Sequence, residues 1–444
     1  MEEKDYLEQI ESLTAEQIVE GISFGKVTFK KLQSTGEFGF DKQNKVKALL
    51  KKKDDKAFAE AKTLIDLKNY LLVFHEGNHS IEAQNKIKKI EDDENALKKR
   101  LKEREEMLRK IKEDINEYTP DEITLKLSSE DFDDLCYEMG IDAQMIKKYK
   151  EPTLKFNDIP KLESEIPVGY TDVFFWGIPS SGKTCALSAI LNTIKKDYSM
   201  EAPDCEKKFG ATYRDSLVNI FRNDYGYLPG RTNEDRTQYM PFLLYKRDEE
   251  NKRKISFFEL SGEVFKYFYE KVNNTQIIDD YDRENIENSF QTLELLLNSS
   301  NQKIHFFFID YNQETKHTID DNGLSQGNYL EAASIYFRDK NGIFKKKTDA
   351  VYVVVTKSDE IPGNDSAALA KTFLDDNFGN FMSVLKKQCK EYSVDFKVKL
   401  FSIGEVYFKK ICKINRAHST DIINDLLHRV RPTSNSKIRK FFNS

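Results

Sequence analysis

Apolar positions follow two different textures along the chain, and the change comes near residue 170. Before it the pattern is helical and mostly polar. The first 80 residues hold short amphipathic pieces interrupted by Gly21, Gly25, Gly36, Gly39 and Gly77. Alanine and leucine at helical spacing predict a helix over 57–74. A longer polar helix is predicted over 80–118. Its apolar residues alternate three and four apart: Ile87, Ile90, Leu97, Leu101, Leu108, Ile111, Ile115 and Tyr118, with Glu94 and Arg104 in two of the seam positions. That heptad stripe on a Lys/Glu background predicts a coiled-coil-like helix, in a hairpin or against another chain. A single amphipathic helix lying on the chain's own core gives the same stripe. Thr119-Pro120 stops it, because proline disfavours helical geometry in the residue before it. A smaller helical piece follows over about 129–149, and Pro152, Pro160 and Pro167 punctuate a linker.

Beyond residue 170, short β-rich apolar runs alternate with helical stretches. The runs are 173–176, 241–245, 255–260, 304–309, 350–355 and 397–402. Near-continuous apolar runs of this length predict strands buried on both faces, hence a mostly parallel sheet between helical layers. A stripe of Phe290, Leu293, Leu296 and Leu297 in the helix expected over 281–299 either packs on that sheet or offers a partner surface. The aromatic run Phe265-Lys266-Tyr267-Phe268-Tyr269 has the same two readings. The last helix, 422–430, ends before Pro432. The chain therefore divides into a helical region 1–79, a coiled-coil-like arm 80–118, a helix and linker 119–167, an α/β domain 168–432 and a tail 433–444.

Composition narrows the class. Hydrophobic content of 39% supports a real core, and 33% charged residues suit solvated helices as well. A net charge of −5 gives no ground for expecting a nucleic-acid partner. The cysteines, Cys136, Cys185, Cys205, Cys389 and Cys412, are odd in number and form no C-x-x-C pair. That suits a reducing cytoplasm and argues against a disulfide framework or zinc site. His75 and His79 lie four apart, but no second ligand pair accompanies them. The acidic start does not resemble a signal peptide, and no apolar run reaches the ~18 residues of a membrane span. A cytoplasmic protein is expected.

The chemistry sits at the ends of the apolar runs. In an open α/β sheet, ligands bind outside the carboxyl ends of the strands. After the first run comes Gly177-Ile178-Pro179-Ser180-Ser181-Gly182-Lys183-Thr184, then a helix-like segment opening at Cys185. Strand, glycine loop and helix in this order form a phosphate cradle. Backbone N–H groups converge on the anion, and the helix N-terminus adds its positive end. Lys183 can reach β- and γ-phosphates, and the Thr184 hydroxyl can bind Mg²⁺. After 255–258 comes Glu259-Leu260-Ser261-Gly262-Glu263, after 351–355 Thr356-Lys357-Ser358-Asp359, and after 398–401 Ser402-Ile403-Gly404. A carboxylate at Asp359 can accept from both N1–H and the 2-amino group of guanine, a pair adenine does not offer.

This series resembles the motifs of a translation-factor-class (Ras-like) P-loop GTPase over roughly 168–432. The resemblance implies a P-loop NTPase three-layer sandwich that binds GTP or GDP with Mg²⁺. Thr184, a switch threonine and Glu259 would hold the metal, and Gly262 would offer its N–H to the γ-phosphate. Thr356, Lys357 and Asp359 would read the base, with the Lys357 stem covering it, alongside Ser402 and Ile403. T-K-x-D in place of N-K-x-D is similar to dynamin-like GTPases and several bacterial groups. The switch threonine is Thr232 or Thr237. Thr237 has the closer spacing to the next strand, whereas Thr232 follows the turn-like Pro229-Gly230 and is preferred. Arg231 or Arg236 would act as an arginine finger in cis, or be a solvated side chain. Glu259 stands where the family carries Asp. Glu263 stands where it carries a water-positioning Gln, which implies slow hydrolysis; a helix-start acid favoured by the dipole is the plainer reading. The run 260–265, L-S-G-E-V-F, is similar to a signature of bacterial double-GTPase-type proteins of conflict and signalling systems, which implies antiviral defence or signalling.

Three functions follow. The first is a slow GTP-hydrolysing switch whose helical arm engages a partner or a second copy. The second is a nucleotide-binding interaction module with negligible hydrolysis. The third is an AAA+ or STAND-type ATPase, since Phe306-Phe307-Phe308-Ile309-Asp310 resembles half of a Walker B strand, although Tyr311 follows where a second acid would stand.

Overall fold

The computed structural model describes residues 1–202, 209–222, 224–230, 237–249, 251–339, 343–344, 347–363 and 365–433. They fall into two units, Met1–Glu113 and Asp114–Ser444.

The first unit is helical. Helices Ala15–Ser23, Phe29–Ser34 and Phe40–Glu60 close around Ile18, Val19, Leu32 and Val46. A second cluster of Leu67, Tyr70 and Ala83 joins helix Leu64–Val73 to the 34-residue helix Ser80–Glu113. The single helix expected over 57–74 is broken at 61–63. Thr63 caps the second piece: its hydroxyl accepts from the Asp66 N–H, and the Asp66 carboxylate accepts from the Thr63 N–H. A reciprocal cap of this kind starts a new helix and outweighs continued apolar spacing. Along the long helix, Leu97 and Leu101 are 57% and 45% exposed.

The second unit carries two sheets. Its strands are β1 (Thr171–Trp176), β2 (Ser199–Glu201), β3 (Phe221–Arg222), β4 (Tyr225–Tyr227), β5 (Gln238–Tyr245), β6 (Arg253–Glu259), β7 (Gln302–Asp310), β8 (Thr348–Thr356), β9 (Asp395–Phe401), β10 (Gly404–Tyr407) and β11 (Ile411–Ile414). Seven form the central sheet in the order β2-β5-β6-β1-β7-β8-β9. β6, β1, β7, β8 and β9 run parallel, while β5 is antiparallel to β6 and β2 to β5. All six expected strands lie here.

Period-two alternation explains the layers. Val173 and Phe175 of β1 face helices Lys183–Asp197, Ala211–Val218 and Ala417–Arg429. Phe174 and Trp176 face the opposite layer, which includes Val264–Asn273, Asp280–Asn298 and Gln326–Asp339. Phe265, Phe268, Phe290, Leu293 and Leu296 are buried in that layer, so both aromatic and leucine stripes cover the sheet. The second sheet is antiparallel throughout, in the order β10-β11-β4-β3. Its strands are two to four residues long, too short to show a period in sequence. Among the described residues, no helix is long and apolar enough to cross a membrane.

A buried polar knot pins the amino end of β1. The Asp172 carboxylate accepts from Ser256, from the Tyr239 hydroxyl at 3.2 Å, from Asn301 Nδ2 at 3.1 Å and from Ser299 at 3.4 Å. Nearby, Lys303 donates to the Ser299 and Asn301 carbonyls at 2.9 and 2.7 Å. Burial lowers the Lys303 ammonium to about 8, and Asp172 opposes that shift. Asp172→Ala removes the shared acceptor and strands several buried donors. We expect a stability loss of about 3 kcal/mol in urea unfolding; a loss below about 1 kcal/mol would show that water replaces the carboxylate.

Candidate nucleotide site

The strongest local constraint is the turn from β1 into helix Lys183–Asp197. Gly182 caps that helix at φ +81°, a left-handed conformation that favours glycine. A Cβ on Gly177 would lie 2.5 Å from Ser181 Oγ and 3.1 Å from the Phe308 carbonyl oxygen, so only glycine fits there. The loop therefore wraps tightly and presents the first helical turn to a cavity of about 360 Å³. Residues 179–185 line that cavity, with 228–230, 259–263, Lys357, Lys409 and Lys410. The first-turn N–H groups of a 15-residue helix have no intrahelical acceptor, which makes this an anion site.

Lys183 is only 7% exposed and makes no ion pair with a described residue. Burial lowers its pKa, while the charges of Glu259 and Glu263 raise it. A buried cation held this way is poised for an anionic ligand.

Glu259, at the end of β6, pairs directly beside Phe175 of β1. Its Oε1 accepts from the Thr184 hydroxyl at 2.5 Å and its Oε2 from the Tyr213 hydroxyl at 2.7 Å. Burial and the adjacent Glu259 charge push the Tyr213 hydroxyl well up, so it remains a donor. Two hard oxygen donors meeting here suit Mg²⁺, which takes oxygen ligands and keeps several waters. Among the described residues, no group of three or more His, Cys, Asp or Glu could hold a metal. A cation at Thr184 and Glu259 would therefore complete its shell with water and phosphate.

The loop after β6 packs onto the phosphate loop. A Cβ on Gly262 would lie 2.4 Å from Pro179 N. Glu263 is buried, and its Oε2 sits 2.7 Å from Lys266 Nζ. Thr237 is also buried, and its hydroxyl accepts from the Ser261 N–H at 3.1 Å. It thus braces this loop. Arg231, Thr232 and Arg236 lie outside the described residues.

The base-reading candidates attach to the same loop. The Thr356 hydroxyl donates to the Ser181 carbonyl at 2.9 Å and lies 3.2 Å from that of Ile309. Lys357, at φ +55°, pairs through Nζ with Asp310 Oδ2 at 2.7 Å. Asp310 also caps the short helix Tyr311–Thr315 through its other oxygen. Asp310 is thus a strand-end anchor for Lys357. Asp359 is exposed, and Ser402 is fixed by its N–H to His418 Nδ1 at 2.8 Å. Cys185 is partly exposed at the helix start, and Ile403 leads into β10.

Sequence reading missed Tyr213, Lys409 and Lys410. None stands in a motif, and each reaches the site from an element whose position only the fold sets, whereas Lys266 lies three residues beyond Glu263 on the same segment.

No protein-family model and no curated protein matches the chain. Among solved structures it is similar to the Ski7 GTPase-like domain of S. cerevisiae, bound to GTP, at 13% identity and a TM-score of 0.26. That match covers 54% of this chain and 44% of the other. It is also similar to the signal recognition particle receptor SRb-GTP/SRX complex from Chaetomium thermophilum, at 14% identity and a TM-score of 0.29, covering 58% of this chain and 100% of the other. This chain spans under half of the first of these chains. Likenesses this slight carry no functional weight; the phosphate-loop α/β fold rests on the strand order and loop geometry above.

Tyr213→Phe leaves one oxygen of the buried Glu259 without its donor. We expect a loss of about 1–2 kcal/mol in chemical unfolding, with the fold unchanged by circular dichroism.

Proposed function

We propose that the chain is a guanine-nucleotide-binding switch that takes GTP with Mg²⁺ and hydrolyses it slowly. The observation that carries this reading is the buried Lys183, which pairs with no described residue, at a cavity that also gathers the Thr184–Glu259 pair and Gly262. The Thr356–Asp359 segment is tied to the same loop. The nucleotide's phosphates would take the charge of Lys183 and the first-turn N–H groups. Mg²⁺, held by Thr184 and Glu259, would supply charge neutralisation at the β- and γ-phosphates. Tyr213 would hold the longer Glu259 carboxylate in the orientation that Thr184 needs. Asp359 would accept from guanine while Lys357, anchored by Asp310, lies over the base.

The slow rate is supported by Glu263, whose carboxylate is already engaged by Lys266. That same pair favours the second reading, a binding module with negligible hydrolysis. In either case the output would pass through the helical unit to a partner or a second copy, with the exposed Leu97 and Leu101 as the side chains to bury. A role in bacterial defence or signalling rests on the motif resemblance alone.

Titration calorimetry with GTP, GDP and ATP tests the ligand. Lys183→Ala should abolish binding of all three. Asp359→Ala should weaken GTP about 100-fold, for the loss of about 3 kcal/mol of charge-assisted hydrogen bonding, and leave ATP unchanged. Preferential binding of ATP by the wild-type chain would sink the guanine assignment and favour the ATPase. Steady-state phosphate release with and without Mg²⁺ separates the slow hydrolase from the binding module.

A further inference from the structure

Besides Lys183, three lysines line the cavity, and they are not equivalent. Lys357 is engaged by Asp310 at 2.7 Å. Lys409 is engaged by Glu117 at 3.5 Å. Lys410 makes no ion pair with a described residue. It is half-buried, in the turn between β10 and β11.

That turn is built with some cost. Phe408 and Lys409 both adopt left-handed backbone, at φ +51° and +56°. For residues other than glycine this is unfavourable by about 1 kcal/mol or more each. Two consecutive left-handed residues make the tight hairpin turn whose twist matches the flanking strands. The turn is held by the fully buried Phe408 ring, whose centroid lies 5.9 Å from that of Phe132. Gly404 at the start of β10 passes so close to Lys413 that a Cβ would lie 2.1 Å from its carbonyl oxygen. Hairpin and ring together fix where Lys410 leaves the backbone.

Lys410 also belongs to the wall it faces. Its carbonyl accepts from the Leu228 N–H at 2.6 Å, and Leu228 and Gly230 line the same cavity. β11 pairs with β4, which runs directly into Leu228. A Cβ on Gly230 would lie 3.9 Å from Lys410 Nζ and 2.3 Å from Glu151 Oε1. A side chain at 230 would crowd Glu151, the carboxylate near this ammonium, and not Lys410 itself.

We infer that Lys410 is a second cation of the phosphate site, presented in cis by the β10–β11 hairpin to the polyphosphate of a bound nucleoside di- or triphosphate. This rests on reading the cavity as a nucleotide site. Through the Leu228 hydrogen bond, the same contact fixes 228–230, the wall leading to the candidate switch threonines.

The test uses the full chain and titration calorimetry with GTP and GDP in Mg²⁺. Lys410→Met keeps the aliphatic stem and removes the charge; Lys410→Arg keeps the charge; Lys413→Met, on the exposed face of β11 outside the cavity, is the control. A charge-assisted hydrogen bond is worth about 1.5–3 kcal/mol, so Lys410→Met should weaken both nucleotides about 10-fold or more. Lys410→Arg should stay within about threefold of wild type, and Lys413→Met should bind as wild type does. Thermal unfolding of the apo chain should not change, which a merely structural lysine would not satisfy. Lys410→Met binding within twofold of wild type overturns this inference alone. A wild-type chain that binds neither nucleotide overturns the cavity reading, and this inference with it.

Discussion

A buried ammonium that pairs with no described acid is the constraint around which the second unit is arranged. Lys183 sits at the start of a helix, where the macrodipole already disfavours a cation, and burial disfavours it further. Such a charge persists only where the surroundings compensate. Here the compensation is distributed: Glu259 and Glu263 lie within electrostatic reach, yet each carboxylate is engaged elsewhere, by Thr184 and Tyr213 or by Lys266. The field is eased without the ammonium being capped, and the side facing the cavity stays available to an anion.

Several packing features follow from keeping that arrangement rigid. The phosphate loop is clamped from three directions: by Phe308 of β7 against Gly177, by Gly262 against Pro179, and by Thr356 of β8 against Ser181. Each contact ties residues close to the backbone, so the glycine loop, Glu259 and the Thr356–Asp359 segment are held together. The second sheet adds a fourth tie. It starts directly after Ser402 and Ile403 and leads, through β11 and β4, to Leu228. The cavity-lining segments 409–410 and 228–230 are thereby joined by hydrogen-bonded strands rather than by loose chain.

Asp310 and Glu259 show how the fold separates two acids that look alike in sequence. Both end apolar strands that flank β1. Glu259 meets the Thr184 hydroxyl, whereas Asp310 is spent on a helix cap and on Lys357. The half Walker B pattern therefore marks an anchor for Lys357. Thr237 is a similar case. Its spacing makes it a switch candidate, but its burial and its bond to Ser261 make it a brace for the neighbouring loop.

The sequence by itself determined the central strands, the phosphate loop and the residues at the strand ends. Strong apolar runs commit to strands, and ligand groups in an α/β sheet collect where those strands stop. It also showed that Glu259 and Glu263 depart from the expected acid and amide. It did not show how Glu259 is accommodated, because Tyr213 comes from a helix with no motif and meets the carboxylate only through packing. The helix break at Thr63 went unread because a local cap competed with apolar spacing and won. The second sheet went unread because strands of two to four residues have no period to detect. Lys410 depends on that sheet. In sequence it is one lysine of a Lys-Lys pair with no distinguishing neighbour. Only the tertiary structure decided that Glu117 takes the first and that the hairpin turns the second into the cavity.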